Sequence, residues 1–463
     1  MPVSATHPQY QYALNRWRYT RDACKGQEAI KRAGERYLPE PAIDADDTEK
    51  VRYMKYLGRA YFLGVTGRTR DALIGMIFRK EPTYTIPDSM LPILENADGA
   101  GASLIQLAKE ASGEILETGR FAFLVDYPSA DPNIDAETEA RLGLRPIIST
   151  YPAESLINWK TDIINGRTVL TLAVLLETRN KPSDEFDTTT FEKVYRVLRL
   201  TDGVYTQQLY SEQGEAIEDQ IIPLQANRQP FDHIPLHISG AQNNRADVDD
   251  SPLFDLAVLN VRHYQVTADH GENLHIHGQV TVGITSDMSF EAFRLANPNG
   301  VQWGANKGIF LGETGSLQTA TAPESSSLRV ALQDLRDEMV NIGARIITGQ
   351  GQNETAEAAR LNAASESSVL DMMTSNLSEA LEAALEDCAR FMGIDPDGIL
   401  FQLNREFFDQ RLDAQTIMSI IQLGDVGIIS RSVQRDMIRT GRLEIPSGVT
   451  DEDIDAENLE TGL

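Results

Sequence analysis

The second half of the chain repeats its apolar residues every three or four positions, the spacing of one face of an α-helix. The pattern predicts a helix from Ser251-Pro252 to about His275, since proline is well tolerated in a first turn. Apolar residues from Leu328 to Ile346 mark a second helix of about 22 residues in all, with a length of roughly 33 Å. A third is predicted from Glu354 to Met392, where Gly393 ends it.

The first half alternates helices with short apolar strands. Helical spacing runs from Glu49 to Lys80, where Glu81-Pro82 ends it, and from Ser103 to Thr118, where Gly119 ends it. Apolar runs bounded by turn residues predict strands at 121–126, 147–151, 169–178, 195–200 and 205–210. We therefore expect residues 1–240 to form an α+β domain with a substantially antiparallel sheet.

Two segments interrupt the helices of the second half. Residues 279–324 lack helical spacing and contain short apolar pieces only at 280–284 and 309–311. Between the second and third helices lies a loop without any apolar residue: Thr348, Gly349, Gln350, Gly351, Gln352 and Asn353. Beyond Gly393 the pattern predicts a strand at 399–403, helices at 413–423 and 430–439, and an acidic tail.

The composition excludes several classes of protein. The chain has 463 residues, with 42 Lys+Arg against 69 Asp+Glu, and a net charge of −27. So acidic a protein lacks the cationic surface that tight binding to nucleic acid requires. The two cysteines, Cys24 and Cys388, cannot form a disulfide framework and suit a reducing compartment. No signal peptide or membrane helix is predicted, so we expect a soluble chain.

The charge is unevenly distributed. Residues 1–80 contain 15 Lys+Arg and 9 Asp+Glu, a net of +6, so residues 81–463 carry −33. Residues 443–463 contain seven acids and no basic residue. This asymmetry indicates either solvated surface or two ends that meet different partners.

Few motifs indicate catalysis. The chain has no phosphate-binding loop of the Gly-x-x-x-x-Gly-Lys type and no Gly-x-Ser-x-Gly nucleophile motif. Six of its seven histidines lie between His233 and His277, and His275-Ile-His277 has a spacing that can chelate a metal. A metal-dependent enzyme that uses this region is therefore one alternative, although Pro235 prevents a helix from joining His233 to His237.

Six local sequences, in their order along the chain, resemble the portal proteins of tailed bacteriophages. They are Tyr61–Arg70 with Gly75–Pro82, Glu114–Arg120 with Leu124–Pro128, Tyr151–Trp159, and Asp250–Asn260. The order of α+β domain, helix, insert, helix, polar loop and long helix is similar as well. The resemblance spans nearly the whole chain and is to a subgroup often labelled only as a domain of unknown function.

The resemblance implies a portal-like fold in which each segment has a place. It implies an α+β wing, two long stem helices, a small α/β clip, a tunnel loop, a long wing helix and a helical crown. Their respective ranges are 1–250 for the wing, 251–278 and 325–347 for the stem helices, 279–324 for the clip, 348–353 for the tunnel loop, 354–409 for the long wing helix with its return strand, and 410–463 for the crown and acidic tail.

The resemblance also implies a function without catalysis, cofactor or metal. Portal subunits form a homo-oligomeric ring, usually a dodecamer, at one capsid vertex, through which double-stranded DNA is packaged and ejected. Implied partners are the terminase large subunit, the major capsid protein and head-completion or adaptor proteins, with assembly in the host cytoplasm and no membrane contact. Another virion structural or adaptor protein is the third interpretation.

The implied DNA-channel residues are those of the tunnel loop, Thr348, Gly349, Gln350, Gly351, Gln352 and Asn353. Their amides can make transient hydrogen bonds, whereas fixed cations would hold phosphates and hinder sliding. Arg329, Arg336 and Arg345 on the second stem helix are possible DNA-facing residues. Each can instead pair with a neighbouring acid such as Asp334, Asp337 or Glu338.

Overall fold

The computed structural model describes residues 2–41, 50–128, 144–180, 191–278, 281–298, 300, 309–320, 326–348 and 368–407. The chain divides into two compact units, Met1–Arg405 and Glu406–Leu463. All the elements below belong to the first unit. The helices predicted at 413–423 and 430–439 lie outside the described residues.

The first unit mixes helices and strands, which confirms an α+β class. Its helices are α1 (Pro8–Lys25), α2 (Gln27–Ala33), α3 (Val51–Arg59), α4 (Val65–Ile77), α5 (Leu91–Glu95), α6 (Leu104–Thr118), α7 (Phe254–His277), α8 (Phe290–Ala296), α9 (Ser326–Thr348) and α10 (Val369–Met392). Its strands are β1 (Thr83–Thr85), β2 (Arg120–Asp126), β3 (Ile147–Pro152), β4 (Leu156–Ile164), β5 (Arg167–Asn180), β6 (Phe191–Thr201), β7 (Val204–Ser211), β8 (Leu236–Gly240), β9 (Thr281–Thr285), β10 (Ser316–Ala320) and β11 (Leu400–Gln402).

The helix predicted from 49 to 80 is wrong as a single element, because the backbone leaves the helix between α3 and α4. The fully buried side chain of Asn260 on α7 occupies the break. Its Oδ1 accepts hydrogen bonds from the backbone N–H of Thr66 (3.1 Å) and from the Thr66 hydroxyl (2.9 Å). Its Nδ2 donates to the carbonyl of Leu63 at 2.8 Å. A side chain distant in sequence therefore satisfies the backbone groups that the break exposes.

Replacing Asn260 by leucine should destabilise the protein, because Thr66 and Leu63 would lose their buried partner. Each buried polar group left without a hydrogen bond costs about 1–3 kcal/mol. We therefore expect a lower free energy of unfolding for Asn260→Leu in denaturant titration. Thr66→Ser keeps the hydroxyl and is the control that should change stability little. Equal stability of Asn260→Leu and the wild type would contradict this role for the amide.

Helix α6 begins and ends where the sequence indicates. The Ser103 hydroxyl accepts from the N–H of Gln106, and the Gln106 side chain accepts from the N–H of Ser103, forming a capping box. Gly119 ends the helix with a φ of 79°, and a Cβ at this position would lie 2.5 Å from the carbonyl oxygen of Asp249. Only glycine fits this turn, from which the chain enters the buried strand β2.

The strands are antiparallel, as expected, but they form two larger sheets instead of one, and β1 with β11 and β9 with β10 form two further two-stranded sheets. Of the larger sheets, one has the order β3-β2-β8, and the other has the order β4-β5-β6-β7. Strand β4 was not predicted, although its turn carries a strong hairpin signal, Asn165-Gly166. Both residues have positive φ, 52° and 78°, as a type I′ turn requires.

Helix α10 packs its apolar face on α6, β2 and β8 and forms much of the core. The helix was predicted to be continuous from Glu354, which is wrong at Ser368. That residue is extended (φ −64°, ψ 156°), and its hydroxyl accepts from the N–H of Asp371, so a helix starts at Val369. Residues 354–367 lie outside the described part. The end at Gly393, in a left-handed conformation, is confirmed.

The long helices α7 and α9 and the segment between them differ from the prediction in detail. Pro252 precedes α7 in a turn, because the helix begins at Phe254. In the segment 281–320, referred to here as the insert, β9 pairs with β10 at 316–320, while the apolar piece at 309–311 is not part of a strand. The short helix α8, with the Ser289 hydroxyl as its cap, was not predicted.

Candidate functional site

The helical hairpin formed by α7 and α9 is the most distinctive feature of the fold. The two helices pack along each other. Arg336 of α9 contacts His263 of α7. Gly343 of α9 lies beside Thr69 of α4, the helix that Asn260 of α7 also contacts. Gly343 follows Arg336 on α9, and Asn260, which contacts the same helix α4, precedes His263 on α7, so the two helices run antiparallel. The insert therefore joins them at one end.

The first part of α7 is anchored to the N-terminal helices. Its residues Ala257, Val261, Tyr264 and Ala268 belong to a buried cluster with aromatic side chains of the first 62 residues: Tyr37, Tyr53, Tyr56 and Phe62. The Tyr56 hydroxyl donates to Asp269 at 2.6 Å, and Arg59 forms an ion pair with Glu272.

Beyond Glu272, α7 extends past its contacts with the N-terminal helices. Leu274 is 47% exposed and Ile276 is 48% exposed. The hairpin is thus fixed at the α+β body and reaches solvent toward the insert.

Helix α9 carries apolar residues at alternating spacings of four and three: Leu328, Leu332, Leu335, Met339, Ile342 and Ile346. Leu332, Met339 and Ile346 are buried, whereas Leu335 is half-buried. This repeat of 3.5 residues keeps one seam of α9 along a neighbouring helix, as in a coiled coil. The predicted apolar stripe of the second long helix is therefore confirmed.

Arg336 faces α7, since its Nε donates to Nε2 of His263 at 3.3 Å. His263 is 1% exposed, and burial together with the nearby Arg336 cation lowers the pKa of its imidazole. Nδ1 of the same ring lies 3.4 Å from the hydroxyl of Thr267. A neutral His263 can accept from Arg336, so the contact joins the two helices without an opposite charge.

Contacts like that of Arg336 are not described for the other residues suggested for a DNA channel. Arg329 is exposed on α9, and the side chain of Arg345 is not among those described. Thr348 is the last residue of α9, and Gly349, Gln350, Gly351, Gln352 and Asn353 lie outside the described residues. The assignment of all these residues to a channel stays a prediction.

The insert places large apolar side chains in solvent. Phe290, Leu295 and Phe310 are 76%, 83% and 60% exposed. The side chain of Asn297 accepts from the N–H of Phe310 (3.1 Å) and donates to the carbonyl of Phe310 (2.9 Å), so it holds that segment against α8. A surface that exposes several large apolar side chains is typical of contact with another protein.

A second polar cluster surrounds Asp387, which sequence reasoning did not single out. Asp387 lies on α10 and is fully buried. Its carboxylate lies 3.1 Å from Nε2 of His233 and 2.8 Å from Nε2 of His237, and it also pairs with Arg390. The cluster joins α10 to β8 and to the segment before β8. Asp387 is one acid among many in the sequence, and only the fold sets it apart.

The histidines proposed for a metal site are divided between distant places. His233 and His237 contact Asp387, while His263 contacts Arg336. His275 is exposed, and the side chain of His277 is not described. Across the described ranges, no group of three or more His, Cys, Asp or Glu side chains is arranged to hold a metal ion. In the same part of the chain, no helix is both long and apolar enough to cross a membrane.

The Asp387 cluster should make stability depend on pH. Burial opposes the charge on His233, but hydrogen bonds to Asp387 and Asp232 outweigh it and raise the His233 pKa above its usual 6.5. This contribution is therefore full below pH 6.5 and is lost as the pH rises through the folded-state pKa. Burial would raise the pKa of Asp387, yet its two histidine partners hold it below the usual 3.8. Its contribution is full above pH 3.8 and is lost at lower pH.

We expect the difference in melting temperature between the wild type and His233→Gln to be largest between about pH 4 and pH 6.5 and to shrink above it. His263, whose lowered pKa has the opposite effect on stability near pH 6, is present in both proteins. Its contribution therefore cancels in the difference between the two melting temperatures. A difference that grows from pH 6 to pH 8 would contradict the raised pKa of His233.

Comparisons with known proteins identify one family model, described as "Domain of unknown function (DUF4055)", which matches residues 252–392. This range runs from the turn before α7 to the end of α10. No curated protein matches the chain.

Solved structures similar to the chain include three from gene transfer agent (GTA) particles. The first is described as the neck of an empty GTA particle computed with C6 symmetry, with 14% identity, a TM-score of 0.42, and coverage of 90% of this chain and 98% of the other. The second is the virion of a native GTA particle, with 13% identity, a TM-score of 0.43, and coverage of 89% and 98%. The third is the neck of a native GTA particle computed with C12 symmetry, with 14% identity, a TM-score of 0.43, and coverage of 89% and 98%.

Proposed function

We propose that the chain is the subunit of a portal ring, through which double-stranded DNA enters and leaves a capsid. The observation that carries the proposal is the helical hairpin of α7 and α9, fixed at one end to an α+β body and ending at the other in a small β unit. A body, a helix, an insert, a returning helix and a further long helix follow one another in the order that the sequence resemblance implies.

In this proposal, α7 and α9 form the stem of the ring and the insert forms the clip. Residues 1–250 form the wing, and α10 with β11 returns to it. Residues 410–463 form the crown. The exposed aromatic residues of the insert suit a surface that meets the terminase large subunit and later the head-completion or adaptor proteins. The wing meets the major capsid protein. The ring is a homo-oligomer, either a dodecamer or a ring with a similar number of subunits.

The electrostatics of α9 support passage of DNA without tight binding. The helix contains three arginines, Arg329, Arg336 and Arg345, and three acids, Asp334, Asp337 and Glu338, so its formal charge is zero. Arg336 is engaged by His263. A surface of this composition offers few fixed cations to phosphate, so DNA can slide past it with little salt-dependent attachment.

The polar residues Thr348 to Asn353, which follow α9, are proposed to face the DNA as a tunnel loop. Their side chains offer hydroxyl and amide groups, and two of the six residues are glycines. Such a loop can exchange hydrogen bonds with a moving duplex without holding it electrostatically. The proposed function requires no catalysis, metal or cofactor from this chain.

Electron microscopy of the purified full-length protein tests the proposal. We expect closed rings with a central opening, seen end-on, at one or more salt concentrations. A double-stranded DNA fragment should not be retained by these rings at physiological salt, since the proposed channel is not a binding site. Particles that remain monomeric at all salt concentrations would overturn the proposal.

A further inference from the structure

The hairpin of β4 and β5 projects beyond the rest of its sheet. Strand β5 pairs with β6 only from Leu172 onward, opposite Arg199. The preceding residues of β5, Arg167–Thr171, pair only with β4 among the described residues. Residues 160–171 are therefore a two-stranded ribbon, and this name is used for them below. Because a two-stranded hairpin alone is marginally stable in water, a projecting ribbon gains from a partner.

The ribbon exposes apolar side chains next to an open sheet edge. Ile163 is 78% exposed and Ile164 is 41% exposed, and the exposed polar residues Asp162 and Asn165 flank the pair. Strand β4 is the terminal strand of the order β4-β5-β6-β7, so in the described residues its outer backbone groups along the ribbon have no strand beside them. Open edges with exposed isoleucines favour association with another chain. The ribbon also carries Lys160 and Arg167 against one acid, Asp162.

The opposite edge of the same sheet has a complementary surface. After β7 the chain folds back along that strand, where Ala216 bridges Tyr210 and Ile221 bridges Gln207. Residues 212–224, called the acidic strip below, expose Ile217, Ile221, Ile222 and Leu224. The strip also contains four acids and no basic residue: Glu212, Glu215, Glu218 and Asp219. Of these, Glu218 lies 3.4 Å from Arg179 of its own chain.

We propose that the ribbon of one copy docks on the acidic strip of the next copy. This inference rests on the proposed ring, because it names the contact through which neighbouring subunits hold each other. Two different apolar surfaces on opposite edges of one sheet suit a head-to-tail contact, which closes into a ring when repeated by rotation. The excess positive charge of the ribbon meets the negative charge of the strip, which fixes the orientation of the contact. A second copy is the occupant that supplies both surfaces in equal number.

Cysteine cross-linking in the full-length protein tests the contact. Cys24 and Cys388 are both buried, so introduced surface thiols are the ones that react. We expect a chain with both Ile163→Cys and Ile222→Cys to give a ladder of covalent oligomers with a short bismaleimide. A mixture of the two single variants should give a covalent dimer and nothing larger, whereas each single variant alone should stay monomeric on a denaturing gel.

A matched pair controls for random collisions. Leu295→Cys, at a position 83% exposed on the insert, replaces Ile222→Cys and should give no ladder with Ile163→Cys. Cross-linking of Ile163→Cys to itself would overturn the proposal, because it would show a symmetric ribbon-to-ribbon contact. A ladder equal to that of the control pair would overturn it as well.

A charge reversal provides the second measurement. The double variant Lys160→Glu/Arg167→Glu should lose assembly at concentrations at which the wild type is assembled. Adding Glu215→Lys/Asp219→Lys should restore assembly, and circular dichroism should show that all variants are folded. No loss on reversal, or no restoration, counts against the contact.

The outcomes separate this inference from the proposed function. Rings in the microscope without the 163–222 cross-link would overturn the docking contact and leave the portal proposal standing. Covalent dimers from the mixture without rings at any salt concentration would support the contact and overturn the portal proposal. Absence of both rings and cross-links would overturn both.

Discussion

Met339→Asp is expected to separate the helical hairpin, with the largest loss of stability among single substitutions on α9. Met339 is 2% exposed on the seam along α7. Removal of a buried methionine side chain alone costs about 2–5 kcal/mol, and the new carboxylate adds the cost of burying a charge without a partner. We expect the free energy of unfolding to fall by at least about 3 kcal/mol, with loss of ring yield.

The neighbouring residue offers a matched control. Val340 is 59% exposed, so Val340→Asp places the same carboxylate one position along the helix in solvent. Its free energy of unfolding should stay within about 0.5 kcal/mol of the wild type. Denaturant titration of the wild type and both variants makes the comparison. If both variants unfold at the same denaturant concentration as the wild type, the seam of α9 is not packed on α7.

Local signals predicted some elements well. The capping box at Ser103, the apolar positions of α6 and the left-handed Gly119 all act within a few residues, so the sequence shows both ends of that helix. The seam of α9 was predicted for the same reason. Strand β4 was missed although Asn165-Gly166 carries a turn signal, because its outer half is exposed and does not alternate between apolar and polar residues.

Other features depend on contacts between distant residues. The break between α3 and α4 is stabilised by Asn260, which is 194 residues from Thr66. Asp387 meets its histidine partners across 150 and 154 residues. A periodic pattern carries no information about such contacts, since they exist only once the elements have packed. The sequence therefore predicted the long helices but not the residues that lock them to the body.

The arginines of α9 show the same contrast between local sequence signals and contacts with distant residues. Arg336 and Arg329 have the same residue type on the same helix, and the sequence treats them alike as possible contacts to DNA. In the fold both arginines are exposed, and Arg336 also donates through its Nε to the buried His263. The two arginines are seven residues apart and therefore lie on the same side of α9. Of the two, Arg336 is the one beside a histidine of α7. The sequence pattern does not show which of the two arginines contacts the facing helix.

Under the proposed portal function, deletion of Gly349 to Gln352 is expected to abolish most genome packaging while leaving rings intact. The residues follow directly after Thr348, at the end of α9 that lies on the α+β body rather than on the insert. None of them contributes an apolar side chain, so their removal takes nothing from the seam of α9. We expect normal ring yield by electron microscopy, and particles assembled with the variant that mostly lack a full-length genome.

Two substitutions in the same loop distinguish a sliding contact from a mere spacer. Gln350→Asn/Gln352→Asn keeps the amides and should package normally. Gln350→Lys/Gln352→Lys keeps the loop length but adds cations, whose attraction to phosphate strengthens as salt is lowered. We expect the lysine variant to package slowly at low salt and to recover as salt is raised, as measured by the DNA protected from nuclease over time. Full packaging by the deletion variant would remove the loop from the channel, because a residue that faces the moving duplex cannot be lost without effect.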